Sequence, residues 1–135
     1  MIVLLDTDVL IDVALDRTPH AEPAAALLDA LEQEPGQGHV AWHSIANFYY
    51  LVRPSHGHVS TKAFVVDLVK FVSVATTTTS DLLVAARLQL RDFEDAMQVA
   101  AALACKADVI ATRNVRDYKN SPIEAVKPSA LLSSA

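Results

Sequence analysis

The chain has 135 residues, 52% of them hydrophobic, and a formal charge of −5 from 16 acids and 11 bases. That length fits one domain, residues 1–135, in which roughly two-thirds of the unfolded surface can be buried. The negative balance excludes a protein that holds nucleic acid by bulk positive charge, so such a substrate has to be gripped locally, through a bound cation and a few placed Arg or Lys side chains. Cys105 is the only cysteine, which excludes an internal disulfide, and its alanine-rich surroundings give it the reading of a small core residue. No apolar stretch approaches the ~18 residues of a membrane span. The apolar N-terminus meets Asp6 at once and has no basic segment before it, unlike a signal peptide. A soluble, cytoplasmic protein is expected.

In chain order, Met1-Ile2-Val3-Leu4-Leu5 predicts a strand buried on both faces. A short helix follows over about Asp8 to Leu15. A second runs from Pro19 to Glu34, with Pro19 suited to its first turn and Ala24, Leu27, Leu28 and Leu31 at helical spacing. Pro35-Gly36-Gln37-Gly38 ends it. His39 to Trp42 predicts a second strand. Ser44 is placed to cap a helix carrying Ile45 to Val52, and Pro54 to stop it. Ser60 to Lys70 predicts another helix and Phe71 to Ala75 a third strand. Ser80 or Asp81 caps a helix through Leu90. Asp92 caps the next, Phe93 to Cys105, with a core stripe of Phe93, Ala96, Met97, Ala100 and Ala104. Asp108 to Ala111 predicts a fourth strand, followed by a loop through Asn114 and Asp117. Ile123 to Val126 predicts an edge strand, and Pro128 opens a terminal helical turn. Strands separated by helices predict an α/β fold, a three-layer α/β/α sandwich around a central, mainly parallel sheet of four or five strands. In such sheets ligands bind at the carboxyl ends of the strands.

That rule selects among the polar residues. Asp6 ends the first strand, Asn47 lies one turn into the helix after the second, Asp95 sits in the first turn of the helix from Phe93, and Asp117 follows the fourth strand. Carboxylates gathered in one cleft repel one another, and a cation relieves the repulsion. Oxygen donors of this kind suit Mg²⁺ or Mn²⁺. Such ions lower the pKa of water and neutralise phosphate charge. Each acid also has a plainer reading. Asp6 can cap the following helix, Asp95 can be the capping-box partner of Asp92, Asp117 can be surface, and Asp8 with Asp12 can form a solvated helix face.

Four stretches carry a family likeness: Leu4-Leu5-Asp6-Thr7-Asp8-Val9-Leu10-Ile11-Asp12, Ser44-Ile45-Ala46-Asn47-Phe48-Tyr49-Tyr50, Asp92-Phe93-Glu94-Asp95-Ala96-Met97-Gln98, and Ala107-Asp108-Val109-Ile110-Ala111-Thr112-Arg113-Asn114-Val115-Arg116-Asp117-Tyr118. In this order the chain resembles a PIN domain, the nuclease fold of VapC-type toxins in bacterial toxin–antitoxin pairs. The resemblance implies a divalent-metal-dependent endoribonuclease, with Asp6, Asp95 and Asp117 as its catalytic, metal-binding acids. It also implies an RNA substrate, a cognate antitoxin and a homodimer. Asn47 falls where many relatives carry Glu or Asp, and Asp8 where the family usually has Asn. A neutral residue at 47 weakens a cation site, and Asp8 can return part of the charge. Thr7, Thr112 and Asn114 are candidate supporting residues around the metal, and Arg113 and Arg116 are candidate phosphate contacts, with ion pairing as their alternative.

Two other readings compete. A weakened PIN domain can bind RNA or a protein without cleaving. A haloacid-dehalogenase-type phosphatase would use Asp6 as nucleophile within Asp6-Thr7-Asp8, although its later acidic pair is missing. His56-Gly57-His58 lacks further zinc ligands. Tyr49-Tyr50 predicts core or dimer contacts rather than base stacking. The high apolar content suits a homodimer interface or an antitoxin groove.

Overall fold

Val3 and Leu5 pack into one hydrophobic layer while Leu4, between them, packs into another. This alternation in the first strand sets the architecture, because a strand apolar on both faces has to be covered on both. A computed structural model describes residues 1–133; Ser134 and Ala135, the last two residues of the expected domain, lie outside the described residues. The strands are β1 Val3–Leu5, β2 Gly38–Val40, β3 Val72–Val74, β4 Val109–Ala111 and β5 Glu124–Val126. They form one sheet in the order β3-β2-β1-β4-β5, with every neighbouring pair parallel. β5 is the edge strand that the sequence predicts.

Helices α1 Thr7–Ala14, α2 Ala21–Gln33 and α3 Trp42–Leu68 cover the Val3 and Leu5 face. Their largest buried side chain, Phe48, stacks on Phe64 at 4.9 Å between ring centroids. Helices α4 Thr79–Arg87 and α5 Phe93–Ala104 belong to the other side, where Leu4 and Ile110 meet Val99, Ala101 and Ala102. Ala85, Ala96 and Ala100 let α4 and α5 approach closely. Helix α6 Pro128–Ser133 returns to the first face. The result is the expected α/β/α sandwich, with a sheet that is wholly rather than mainly parallel.

Several local expectations need correction. Pro19 lies in the turn before α2, and Pro23 occupies the first helical turn instead. Trp42 opens α3 rather than closing β2, and Ser44 is not its cap but a buried residue inside it. Pro54 does not stop the helix. Its fixed φ is helical, so it costs a backbone hydrogen bond while the backbone dihedrals stay helical through it. The break comes at Gly57, whose φ of 76° is left-handed and favours glycine. Thr61 Oγ1 donates to the Gly57 carbonyl at 2.7 Å across the bend. α4 is capped by Thr78, whose N–H donates to Asp81 Oδ2 at 2.8 Å, and ends at Arg87. Phe93 is 53% exposed, not core. At the first helical position there is no preceding turn for its side chain to lie over. The buried face of α5 is Ala96, Val99, Ala100, Ala101 and Ala102, with one polar member, Gln98. The loop through Asp117 forms a 3₁₀ turn, Val115–Tyr118. Cys105 is half-buried, as expected of a small packing residue, and burial pushes its thiol pKa up.

Candidate metal centre

Asp6 lies where β1 passes into α1. Its Oδ1 accepts from the Thr7 N–H at 2.7 Å, so it does cap α1. Its Oδ2 faces the sheet's carboxyl edge and accepts from Thr112 Oγ1 and from the Tyr118 hydroxyl, each at 2.9 Å. Capping and site-building are therefore two ends of one carboxylate. Asp6 is only 6% exposed. Burial raises its pKa most, the Glu94 charge adds to this, and the three hydrogen bonds oppose both.

Asp95 enters from α5. Asp92 accepts from the Asp95 N–H at 3.1 Å, but no carboxylate bond returns from Asp95 among the described residues, so its side chain is not consumed by the cap. Burial, then the charges of Asp6, Glu94, Asp92 and Asp117, raise its pKa to about 7. Those four partners define the cluster: β1 supplies Asp6, the start of α5 supplies Asp92, Glu94 and Asp95, and the 3₁₀ turn after β4 supplies Asp117. Ligand oxygens of Asp92, Glu94 and Asp95 lie within 4.8 Å of one another. The structure thus brings together Asp6, Asp95 and Asp117, the three acids selected from sequence. Their donor set, carboxylate oxygens destabilised by mutual repulsion, fits a hard divalent cation.

The α1 side differs. Asp8 Oδ2 accepts from Thr112 Oγ1 at 3.2 Å, Arg113 N–H at 3.3 Å and Asn114 Nδ2 at 3.1 Å. Burial and the Asp6 charge still raise its pKa to about 7. Asp12 is 1% exposed and accepts from Arg113 Nε at 2.9 Å. The solvated face expected of Asp8 and Asp12 is thus corrected: Asp12 is buried and ion-paired, Asp8 is half-buried, and one oxygen of each carboxylate is buried without a hydrogen bond. Arg113 is tied to Asp12, while Arg116 is exposed and lines an open polar cleft with Gln89, Arg91, Asp117, Lys119 and Asn120.

Asn47 is half-buried on α3, one turn beyond His43. His43 Nε2 contacts Glu94 Oε2 at 2.7 Å. Gln98 Nε2 donates to the same oxygen at 2.7 Å, to Ser44 Oγ at 2.7 Å and more weakly to Thr7 Oγ1 at 3.3 Å. Sequence reading missed His43, Glu94, Gln98 and Tyr118. Gln98 carried a signal: an amide alone within the apolar run Ala96-Met97-Gln98-Val99-Ala100.

An all-parallel sheet with acids converging at its carboxyl edge defines an α/β protein whose acidic cluster lies where such sheets bind their ligands. More specifically, a family model described as the PIN domain matches residues 2–116, and the chain belongs to the PIN-domain family. Its fold is shared with VapBC2 from Rickettsia felis, solved bound to a DNA fragment from its promoter, at a TM-score of 0.72 and 14% identity over 94% of this chain and 98% of that one. VapBC-1 from nontypeable Haemophilus influenzae aligns with a TM-score of 0.72 at 16% identity, over 96% of this chain and 99% of that one. VapC20 from Mycobacterium tuberculosis, described as a sarcin-ricin loop cleaving toxin, gives 0.64 and 16% over 80% of this chain and 86% of that one. At these identities the likeness establishes the fold. No curated protein matches the chain in sequence.

Proposed function

We propose that the protein is a Mg²⁺- or Mn²⁺-dependent endoribonuclease and the toxin of a toxin–antitoxin pair, with Asp6, Asp95 and Asp117 as metal-binding acids. The observation that carries this reading is the convergence of those three residues, from β1, α5 and the turn after β4, in a chain of the PIN-domain family. A bound cation supplies Lewis acidity, activating water and offsetting phosphate charge. The chain's own residues do the rest. Asp6 is held in place by Thr112 and Tyr118, so its position is set before any ligand arrives. Asp95, whose carboxylate the α5 cap does not use, would bind the cation beside Asp6, which would relieve the repulsion from Asp6, Glu94, Asp92 and Asp117. Arg91, Arg116 and Lys119 stand beside Asp117 and make no ion pair among the described residues. They supply the local positive charge that an RNA strand needs on a chain of net charge −5. Arg113 neutralises Asp12 instead.

The protein partners belong to the same reading. Trp42 and Tyr50 are 74% and 68% exposed. With Ile45, Tyr49, Val65 and Val66 they line an apolar groove of about 410 Å³ along α3. Apolar surface of this kind supports an antitoxin segment or a second copy of the chain. No helix among the described residues is long and apolar enough to cross a membrane.

The neutral amide at Asn47 favours a second reading, a domain that binds RNA without cutting it. The phosphatase reading loses support, because Asp8, its required general acid, is bonded to Thr112, Arg113 and Asn114. Incubating purified protein with RNA and Mn²⁺, beside an Asp6→Asn control, is the test. Cleavage by the wild type alone supports the nuclease, RNA bound and left intact supports the second reading, and equal RNA loss in both samples sinks the enzyme assignment.

A further inference from the structure

We propose that Glu94 supplies the carboxylate that α3 lacks at position 47, and that it joins Asp6, Asp95 and Asp117 in holding the cation. The inference rests on the metal-centre reading above and assigns a residue to it. α3 presents His43 and Asn47 on one face, a single helical turn apart. Neither is a carboxylate. α5 instead turns Glu94 toward the cluster, where its charge acts on both Asp6 and Asp95 and one of its oxygens lies within 4.8 Å of theirs on Asp92 and Asp95.

The way Glu94 is held separates it from an ordinary first-turn glutamate. Both of its contacts, from His43 Nε2 and Gln98 Nε2, fall on Oε2 at 2.7 Å. Oε1 has no hydrogen bond among the described residues and remains available to a cation. Gln98 is fully buried, and its own Oε1 has no partner. Turning the amide over would offer that oxygen to the Ser44 and Thr7 hydroxyls, yet it would set an acceptor against the Glu94 carboxylate. The fold leaves a buried carbonyl oxygen unsatisfied, an unfavourable arrangement, and in return keeps a donor under Glu94. His43 and Gln98 are positioning residues: they fix the carboxylate from α3 and from within α5.

The test is Mn²⁺ affinity, measured by titration calorimetry on the full chain for the wild type, Glu94→Gln, Asp6→Asn and the double variant Glu94→Gln, Asn47→Asp. Glu94→Gln should weaken binding by about tenfold or more, with its fold checked by circular dichroism. Asn47→Asp in the same chain should restore most of the loss, which a purely structural role for Glu94 would not allow; no rescue overturns the equivalence with position 47. Wild-type affinity in Glu94→Gln, with binding lost in Asp6→Asn, removes Glu94 from the centre and leaves the centre standing. Wild-type affinity in Asp6→Asn removes the centre and this proposal with it. If Glu94→Gln does not fold, Glu94→Asp takes its place: it keeps the charge and withdraws it by one methylene. Weakened Mn²⁺ binding then supports the assignment, and unchanged binding overturns it.

Discussion

Two groups of aspartates flank Asp6, and they are treated in opposite ways. On the α1 side, Asp12 meets an arginine at 2.9 Å and Asp8 collects three donors from the segment after β4. On the α5 side, Asp95 faces four other carboxylates and no cation among the described residues. The residue type is the same and the sheet edge is the same. What differs is the partner: Asp12 has a guanidinium and Asp8 has hydrogen-bond donors, although one oxygen of each stays without a hydrogen bond, whereas Asp95 meets like charges. The α5 cluster keeps its mutual repulsion, the condition under which a bound cation is most favourable.

The contrast can be broken at several points. The largest effect is expected at Asp6. Asp6→Asn keeps an acceptor for the α1 cap and removes the charge, and RNA cleavage in Mn²⁺ should fall by about a hundredfold or more while the thermal midpoint moves little. Activity within a few-fold of wild type would place the reaction elsewhere. Next comes Arg113→Met. It strips the nearer of two guanidinium partners from buried Asp12, leaving Arg17 at 4.0 Å, and unfolding in urea should show a loss of about 2–3 kcal/mol, below the full penalty because Arg17 remains and Arg113 is partly exposed. A normal midpoint with a raised KM for RNA would instead make Arg113 a phosphate contact.

A smaller effect is expected in the cleft beside Asp117. Replacing Arg91, Arg116 and Lys119 together by Gln should weaken RNA binding without lowering Mn²⁺ affinity. The slope of log affinity against log salt should drop by about 2, the share of three charges on a single strand. An unchanged slope would route the RNA over another surface. The smallest is the pH response. Asp8 and Asp95 have folded pKa values near 7 against an ordinary 3.8. Because the folded state holds these protons more tightly than the unfolded one, their contribution is fully present below pH 4 and is lost as pH rises through about 7. Without metal, stability should therefore decline across that window. Mn²⁺ binding at pH 6 should release protons, seen as a calorimetric enthalpy that varies with buffer ionisation heat, and release fewer at pH 8. A buffer-independent enthalpy at pH 6 would count against protonated acids in the cluster.

Much of this was legible where local chemistry decides. The apolar run before Asp6 fixes a doubly covered strand, and Asp92 with Asp95 three residues on fixes the start of α5. The three chosen acids converge because the parallel sheet sends its carboxyl edges to one side. Long-range pairing was not legible. Asp12 and Arg113 are 101 residues apart, and the periodicity that exposed Asp12 on paper says nothing about a guanidinium arriving from beyond β4. Glu94 was hidden in the same way, since its meaning depends on His43 and a buried Gln98. Ser44 and Pro54 misled for a different reason. Both are strong helix punctuators by themselves, and packing of Ser44 against Gln98 and the left-handed Gly57 overrode them.

Tyr118 has one more consequence. Its ring is buried in the layer that holds Leu4 and Ile110, while its hydroxyl reaches Asp6. The exposed Asp117 beside it is therefore moored to the interior by its own neighbour in the chain. A short surface turn would ordinarily lose configurational freedom when it closes on a ligand. Here that entropy is surrendered during folding, so under the proposed function Asp117 would meet an ion from an arm already set in place.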